Sequence, residues 1–123
     1  MGGKPMPKIL VVDDEGAILD LILAVLEDDG YATIGARGGA QALALLATER
    51  PDLVLMDIMM PGMDGREVFR RMRDGPDAVA TPVVMMSAAY ARERVPVGVA
   101  AFLTKPFDID HLLATVARTL RSP

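Results

Sequence analysis

Apolar and polar residues are sorted along this chain into blocks of two kinds. Unbroken apolar runs stand at Ile9-Leu10-Val11-Val12, Leu53-Val54-Leu55-Met56, Val83-Val84-Met85-Met86 and Ala100-Ala101-Phe102-Leu103. Short runs without polar interruption suit strands buried on both faces of a parallel sheet. A weaker run, Tyr31 to Ala36, predicts one more strand, shorter than the rest. The blocks between them follow a helical period. Ile18, Leu21, Ile22, Val25 and Leu26 recur at that spacing up to Asp29, and Gly30 is placed to end the helix. Ala40 to Thr48 carries Leu43 and Leu46 on one face before Pro51, and Arg66 to Arg73 turns Val68, Phe69 and Met72 inward. Behind Asp108, a candidate N-cap, Ile109, Leu112, Leu113, Val116 and Leu120 form the clearest stripe. Such alternation predicts an α/β fold with helices on both faces, because parallel strands need crossover connections.

Each of the four long runs ends at a group that can do chemistry. The first runs into Asp13-Asp14-Glu15 and the second into Asp57, followed by the turn signals Pro61-Gly62 and Asp64-Gly65. The third ends at Ser87-Ala88 and the fourth at Thr104-Lys105-Pro106-Phe107. In open parallel sheets ligands bind beyond the carboxyl ends of the strands, so these groups would gather at one edge. Singly, each has a plainer reading. An aspartate after a strand often caps its own turn, an acidic pair is solvated, a serine caps a helix, and a lysine faces water. The Lys105-Pro106 bond is a candidate cis peptide, since only X-Pro bonds adopt cis at small cost.

Composition narrows the class. A chain of 123 residues, 51% hydrophobic and 24% charged, is expected to form one soluble domain, with residues 1–7 a disordered lead-in and residues 8–121 the folded unit. No apolar run approaches the roughly 20 residues of a membrane span, and the start lacks the apolar core of a signal peptide. With zero cysteines, cytoplasmic residence is the expectation. The net charge of -4 argues against direct nucleic-acid binding. His111 is read as a surface residue, and the methionines as adaptable packing.

The motifs Val-Val-Asp-Asp-Glu, Met-Asp-Ile-Met-Met-Pro-Gly-Met-Asp-Gly and Leu-Thr-Lys-Pro-Phe, in that order around Ser87, resemble the receiver domain of two-component response regulators. The similarity runs from about Lys8 to about Leu120. It implies a doubly wound five-stranded parallel sheet of flavodoxin-like order 2-1-3-4-5. It also implies a signalling switch in which Asp57 accepts a phosphoryl group from a sensor histidine kinase or histidine phosphotransfer protein. Affinity for an output partner then changes. By the same resemblance Asp13, Asp14 and Asp57, with the backbone carbonyl of Met59, hold Mg²⁺, for which Mn²⁺ can substitute. Lys105 and Ser87 would meet the phosphoryl group. Phe102 takes the place of a switch aromatic, although a ring there can equally be ordinary core under the last helix. Such a domain assists its own phosphorylation and dephosphorylation and is not otherwise an enzyme.

Two readings compete with the switch. A haloacid-dehalogenase-type phosphatase also forms an aspartyl-phosphate but usually places an acid two residues after the nucleophile, where this chain has Met59. A flavodoxin-like cofactor binder needs a hydroxyl- and glycine-rich loop where Asp13-Asp14-Glu15 stands. The chain also departs from the family it resembles. Only 17 residues separate Ser87 from Lys105, about one helical turn fewer than usual, and Pro96 interrupts what remains. The fourth helix is therefore expected to be very short or missing, with a loop around Tyr90 to Val97. Without a normally shaped docking face, the protein is expected to stay monomeric. By the same resemblance Met59 and Ala89 would flank the path of hydrolytic water, and neither can orient it by hydrogen bonding, so slow dephosphorylation is expected.

Overall fold

Alternate residues of each inner strand feed two apolar layers, one on each side of a sheet. Leu10, Val12, Val54, Met56, Val83 and Met85 face one side, and Ile9, Val11, Leu53, Leu55, Val84 and Met86 face the other. Burial of both faces leaves no polar position between the ends of these strands, which is why their sequences read as unbroken apolar runs. The computed structural model describes residues 6–75 and 79–121, apart from the side chains of Ala89 and Tyr90. Residues 1–5 of the expected lead-in at residues 1–7 lie outside the described residues.

The strands are β1 (Lys8–Val12), β2 (Ala32–Ala36), β3 (Leu53–Asp57), β4 (Val83–Ala88) and β5 (Ala101–Lys105). They pair in parallel in the order β2-β1-β3-β4-β5, the order that the family resemblance implied. Helices α1 (Gly16–Asp28) and α4 (Ile109–Arg121) cover one face. Helices α2 (Gly39–Glu49) and α3 (Gly65–Asp74) cover the other. Among the described residues, no helix is long and apolar enough to cross a membrane.

Two helix faces differ from the expected stripes. In α1 the buried residues are Leu19, Ile22 and Leu26, and Leu21 is exposed. Nearly every position from Ala17 to Leu26 is apolar, so periodicity leaves the phase of this helix open. Packing decides it. A Cβ on Gly35 of β2 would lie 3.0 Å from Leu23 Cδ1 and 3.3 Å from Leu19 Cδ2, so α1 rests these two leucines on the bare backbone of that strand. In α4, Leu112 and Val116 are buried as expected, but Thr115 and Thr119 are buried beside them and Ile109 is exposed. Thr119 satisfies its hydroxyl by donating to the Thr115 carbonyl at 2.8 Å. The Asp108 cap is present, its Oδ1 accepting from the His111 N–H, and His111 itself is exposed.

Between β4 and β5 stands a six-residue 3-10 helix, Ala89–Arg94, where a very short helix or a loop was expected. It ends before Pro96, which has no N–H to continue it. Ala91, fully buried, ties it to the layer under α2 and α3, and the Arg92 guanidinium lies 5.0 Å from the centre of the Phe102 ring.

Among the described glycines, the one with least room for a Cβ lies just after β3. Asp64 caps α3, its Oδ1 accepting from the N–H groups of Arg66 and Glu67 at 2.9 and 3.2 Å. The Gly65 N–H donates to the Ile58 carbonyl at 2.8 Å, pulling the helix start onto the strand end. A Cβ on Gly65 would lie 2.5 Å from the Asp57 carbonyl oxygen and 3.0 Å from Ile58 Cα, both backbone atoms with nowhere to go. Gly65→Ala is predicted to destabilise the fold by at least the roughly 1–3 kcal/mol typical of overpacking. Its urea midpoint should fall; a midpoint equal to that of the parent chain would show that helix and strand can part freely.

Candidate functional site

Parallel pairing places the carboxyl ends of the strands along one edge, and the register decides which residues meet there. Val12 stands beside Met56, so Asp13 and Asp57, each one residue further on, emerge as neighbours. Asp57 in turn pairs with Met86, Ser87 with Thr104, and Ala88 with Lys105. Strands β4 and β5 thus each run two residues past their apolar runs, and Ser87 and Lys105 belong to the strands themselves.

Asp13 and Asp57 use their two oxygens differently. Oδ1 of Asp13 accepts from the Glu15 N–H at 3.0 Å, and Oδ1 of Asp57 accepts from the Met59 N–H at 3.2 Å. These are the turn-capping bonds of an aspartate after a strand. Oδ2 of each faces the same ammonium: Lys105 Nζ lies 2.7 Å from Asp13 Oδ2 and 3.3 Å from Asp57 Oδ2. Each of these aspartates thus turns one oxygen to its own turn and the other to the shared lysine. Asp14, half-buried, completes a group in which one carboxylate oxygen from each residue lies within 4.8 Å of the others. Asp13 is fully buried and Asp57 nearly so.

Other expected site residues lie around this group. Ser87 is buried in β4, and among the described residues its hydroxyl makes no hydrogen bond. Phe102 is half-buried and packs with the layer under α2, α3 and the 3-10 helix rather than under α4. Met59 is 41% exposed beside Asp57, with Arg94 Nη1 3.9 Å from its sulfur. The side chain of Ala89, the other expected neighbour of the water path, lies outside the described residues. The Lys105-Pro106 peptide bond is cis. Sequence reasoning missed Arg37. Its guanidinium donates to the Asp14 carbonyl from Nε at 3.3 Å and Nη2 at 3.1 Å. No spacing rule in the sequence singles it out.

The group is short of positive charge. Three carboxylates against one ammonium leave a formal charge of −3 + 1 = −2. Burial raises the pKa of Asp57, the Lys105 charge opposes that rise, and the Asp13 charge adds to it. For Lys105 burial acts to lower the pKa, but the hydrogen bond and charge of Asp13, with Asp57 behind them, prevail and leave it raised. Hard oxygen donors with a surplus of two negative charges suit a divalent cation such as Mg²⁺ or Ca²⁺ more than a thiophilic metal.

A raised Asp57 pKa means that the folded state binds this proton more tightly than the unfolded state. The ionised carboxylate therefore costs stability above its folded pKa, and that cost vanishes as pH falls below the unfolded value. In metal-free buffer at neutral pH, Asp57→Asn is predicted to melt higher than the parent chain. The gap should narrow steadily as the pH is lowered through the acid range. A lower melting temperature for Asp57→Asn at neutral pH would mean that the contact with Lys105 outweighs burial and repulsion.

Comparison with known proteins agrees with this geometry. The family model described as the response regulator receiver domain matches residues 9–117. Sporulation initiation phosphotransferase F of Bacillus subtilis is 39% identical over 118 residues, which cover 92% of this chain and 93% of that protein. The DNA-binding dual master transcriptional regulator RpaA of a Synechocystis strain is 38% identical over 120 residues, but this chain spans only 50% of its length. Among solved structures, the chemotaxis protein CheY4 of Vibrio cholerae superposes with a TM-score of 0.84 at 33% identity, over 93% of this chain and 98% of that one. With the aspartate group at the strand ends and the 2-1-3-4-5 sheet, these matches show that the chain belongs to the response regulator receiver domain family.

Proposed function

We propose that Asp57 is the phosphoacceptor of this receiver, taking a phosphoryl group from a sensor histidine kinase or a histidine phosphotransfer protein. The observation that supports it most is the surplus of two negative charges around a single ammonium, at the edge where the strands end. Phosphoryl transfer asks the protein mainly for positioning and charge neutralisation, and an aspartate can serve as its nucleophile. Asp13, Asp14 and Asp57, with the Met59 carbonyl, would hold Mg²⁺, which when bound neutralises charge on the phosphoryl oxygens.

The chain's own residues supply the rest. An Asp57 oxygen attacks phosphorus, the new O–P bond forms, the bond to the donor nitrogen breaks, and that nitrogen keeps the electron pair and is reprotonated from solvent. Lys105, already 3.3 Å from Asp57 Oδ2, is within reach of an oxygen on the attached group. Ser87, whose hydroxyl is not engaged among the described residues, would donate to another oxygen and draw the end of β4 toward it. Phe102, half-buried beside Arg92, would follow that movement. The phosphoryl group acts as a switch only if it binds one of two pre-existing states better.

Incubating the protein with a small phosphodonor and Mg²⁺ should add the mass of one phosphoryl group, read by intact-mass spectrometry. Chelating the metal or introducing Asp57→Asn should abolish the gain. The same time course reads its loss, which is expected to be slow because Met59 holds no water in line. Full mass gain in Asp57→Asn would place the acceptor elsewhere.

A further inference from the structure

Of the three carboxylates in the acidic group, two are pinned and one is not. Asp13 is held by Lys105 and the Glu15 N–H, and Asp57 by Lys105 and the Met59 N–H. The Asp14 carboxylate accepts no hydrogen bond among the described residues. What is held is its backbone, by Arg37 across a gap of 23 residues in sequence. We propose that Arg37 is a positioning residue for Asp14: by clamping the peptide that carries it, the guanidinium aims the one free carboxylate of the group at the cation. The inference rests on the reading of the three aspartates as a Mg²⁺ site.

Several features converge on this clamp. Arg37 directly follows β2, and Asp13 directly follows β1, where its N–H donates to the Ala36 carbonyl at 3.1 Å. The two strand ends are thus already tied when the arginine reaches over. The Arg37 N–H donates to Gln41 Oε1 at 3.0 Å, which fixes the base of the side chain to α2. Both guanidinium donors then meet one oxygen, a contact that a lysine ammonium cannot reproduce with the same planar fork. Gly16 makes room for it. A Cβ there would stand 3.2 Å from both Cζ and Nη1 of Arg37, so a side chain at residue 16 would crowd the guanidinium and shift it by a few tenths of an ångström. Groups that orient a metal ligand from behind typically change metal affinity 10- to 100-fold when removed.

The charge of Arg37 by itself would act the other way, repelling a cation. That gives the test two signs. Mg²⁺ is titrated into the metal-free protein and into its variants, followed by calorimetry and by the amide shifts of residues 13 to 16, with no phosphodonor present. Arg37→Ala and Arg37→Lys should each weaken binding by about 10-fold or more. Gly16→Ala leaves the arginine in place but displaces its head. It should also weaken binding, although its melting temperature should hold or rise, since exchanging glycine for alanine at a compatible backbone restricts the unfolded chain. Affinity falling while stability does not is an outcome that general damage to the fold cannot produce. If Arg37→Ala binds more tightly and Arg37→Lys binds as the parent does, the arginine acts through charge alone and the clamp is wrong. Parent-like affinity in all three variants would overturn it equally. A parent protein that takes up no Mg²⁺ would instead remove the site reading beneath it, so the two failures are distinguishable.

Discussion

Gathering three carboxylates at a partly dehydrated sheet edge is unfavourable, because each loses water and each repels the others. The ammonium of Lys105, shared between Asp13 and Asp57, makes the arrangement tolerable without making it neutral. That imbalance is the constraint on which the rest depends. Were the cluster fully neutralised by protein cations, it would be a structural ion-pair network with no call for a metal. Were Lys105 absent, the buried Asp13 would have no countercharge among the described residues that face it. The site stands between these limits, with a surplus of two negative charges.

The sheet enforces the meeting of these groups. Residues 13 and 105 lie 92 positions apart, and only the parallel order β2-β1-β3-β4-β5 brings the ends of β1, β3 and β5 to one edge. The apolar layers on both faces hold the strands in that register, since a slip of one residue would carry each buried side chain to the opposite layer. The tight start of α3 against the end of β3, possible because Gly65 has no Cβ, fixes the loop that carries Met59. Packing energy at the centre is thereby converted into placement at the edge.

Much of this was legible in the sequence, and what was not has identifiable physical causes. The apolar runs and their terminal acids, hydroxyl and lysine were readable because strands buried on both faces tolerate nothing else. The phase of α1 was not, because a helix apolar on nearly all sides contains several equivalent stripes and only Leu19 and Leu23 lying over Gly35 decides among them. Thr115 and Thr119 hid the true inner face of α4 for a related reason: a threonine buried in a helix is polar by composition, yet Thr119 satisfies its hydroxyl on the preceding turn. The shortened fourth helix was visible as a deficit of length, but its 3-10 form was not. Arg37 was invisible altogether, since its role comes from a contact across 23 residues that no periodicity encodes.

Lys105 is an internal countercharge that leaves the acidic group two negative charges in surplus, a balance that suits a divalent cation. The most direct test is the Mg²⁺ affinity of Lys105→Met compared with the parent chain, measured by calorimetry at neutral pH. Removing the ammonium should tighten Mg²⁺ binding, because the surplus grows from two negative charges to three, and should enlarge the rise in melting temperature that Mg²⁺ produces. Weaker Mg²⁺ binding in a folded Lys105→Met protein would contradict the account, showing that Lys105 builds the cluster rather than balances it.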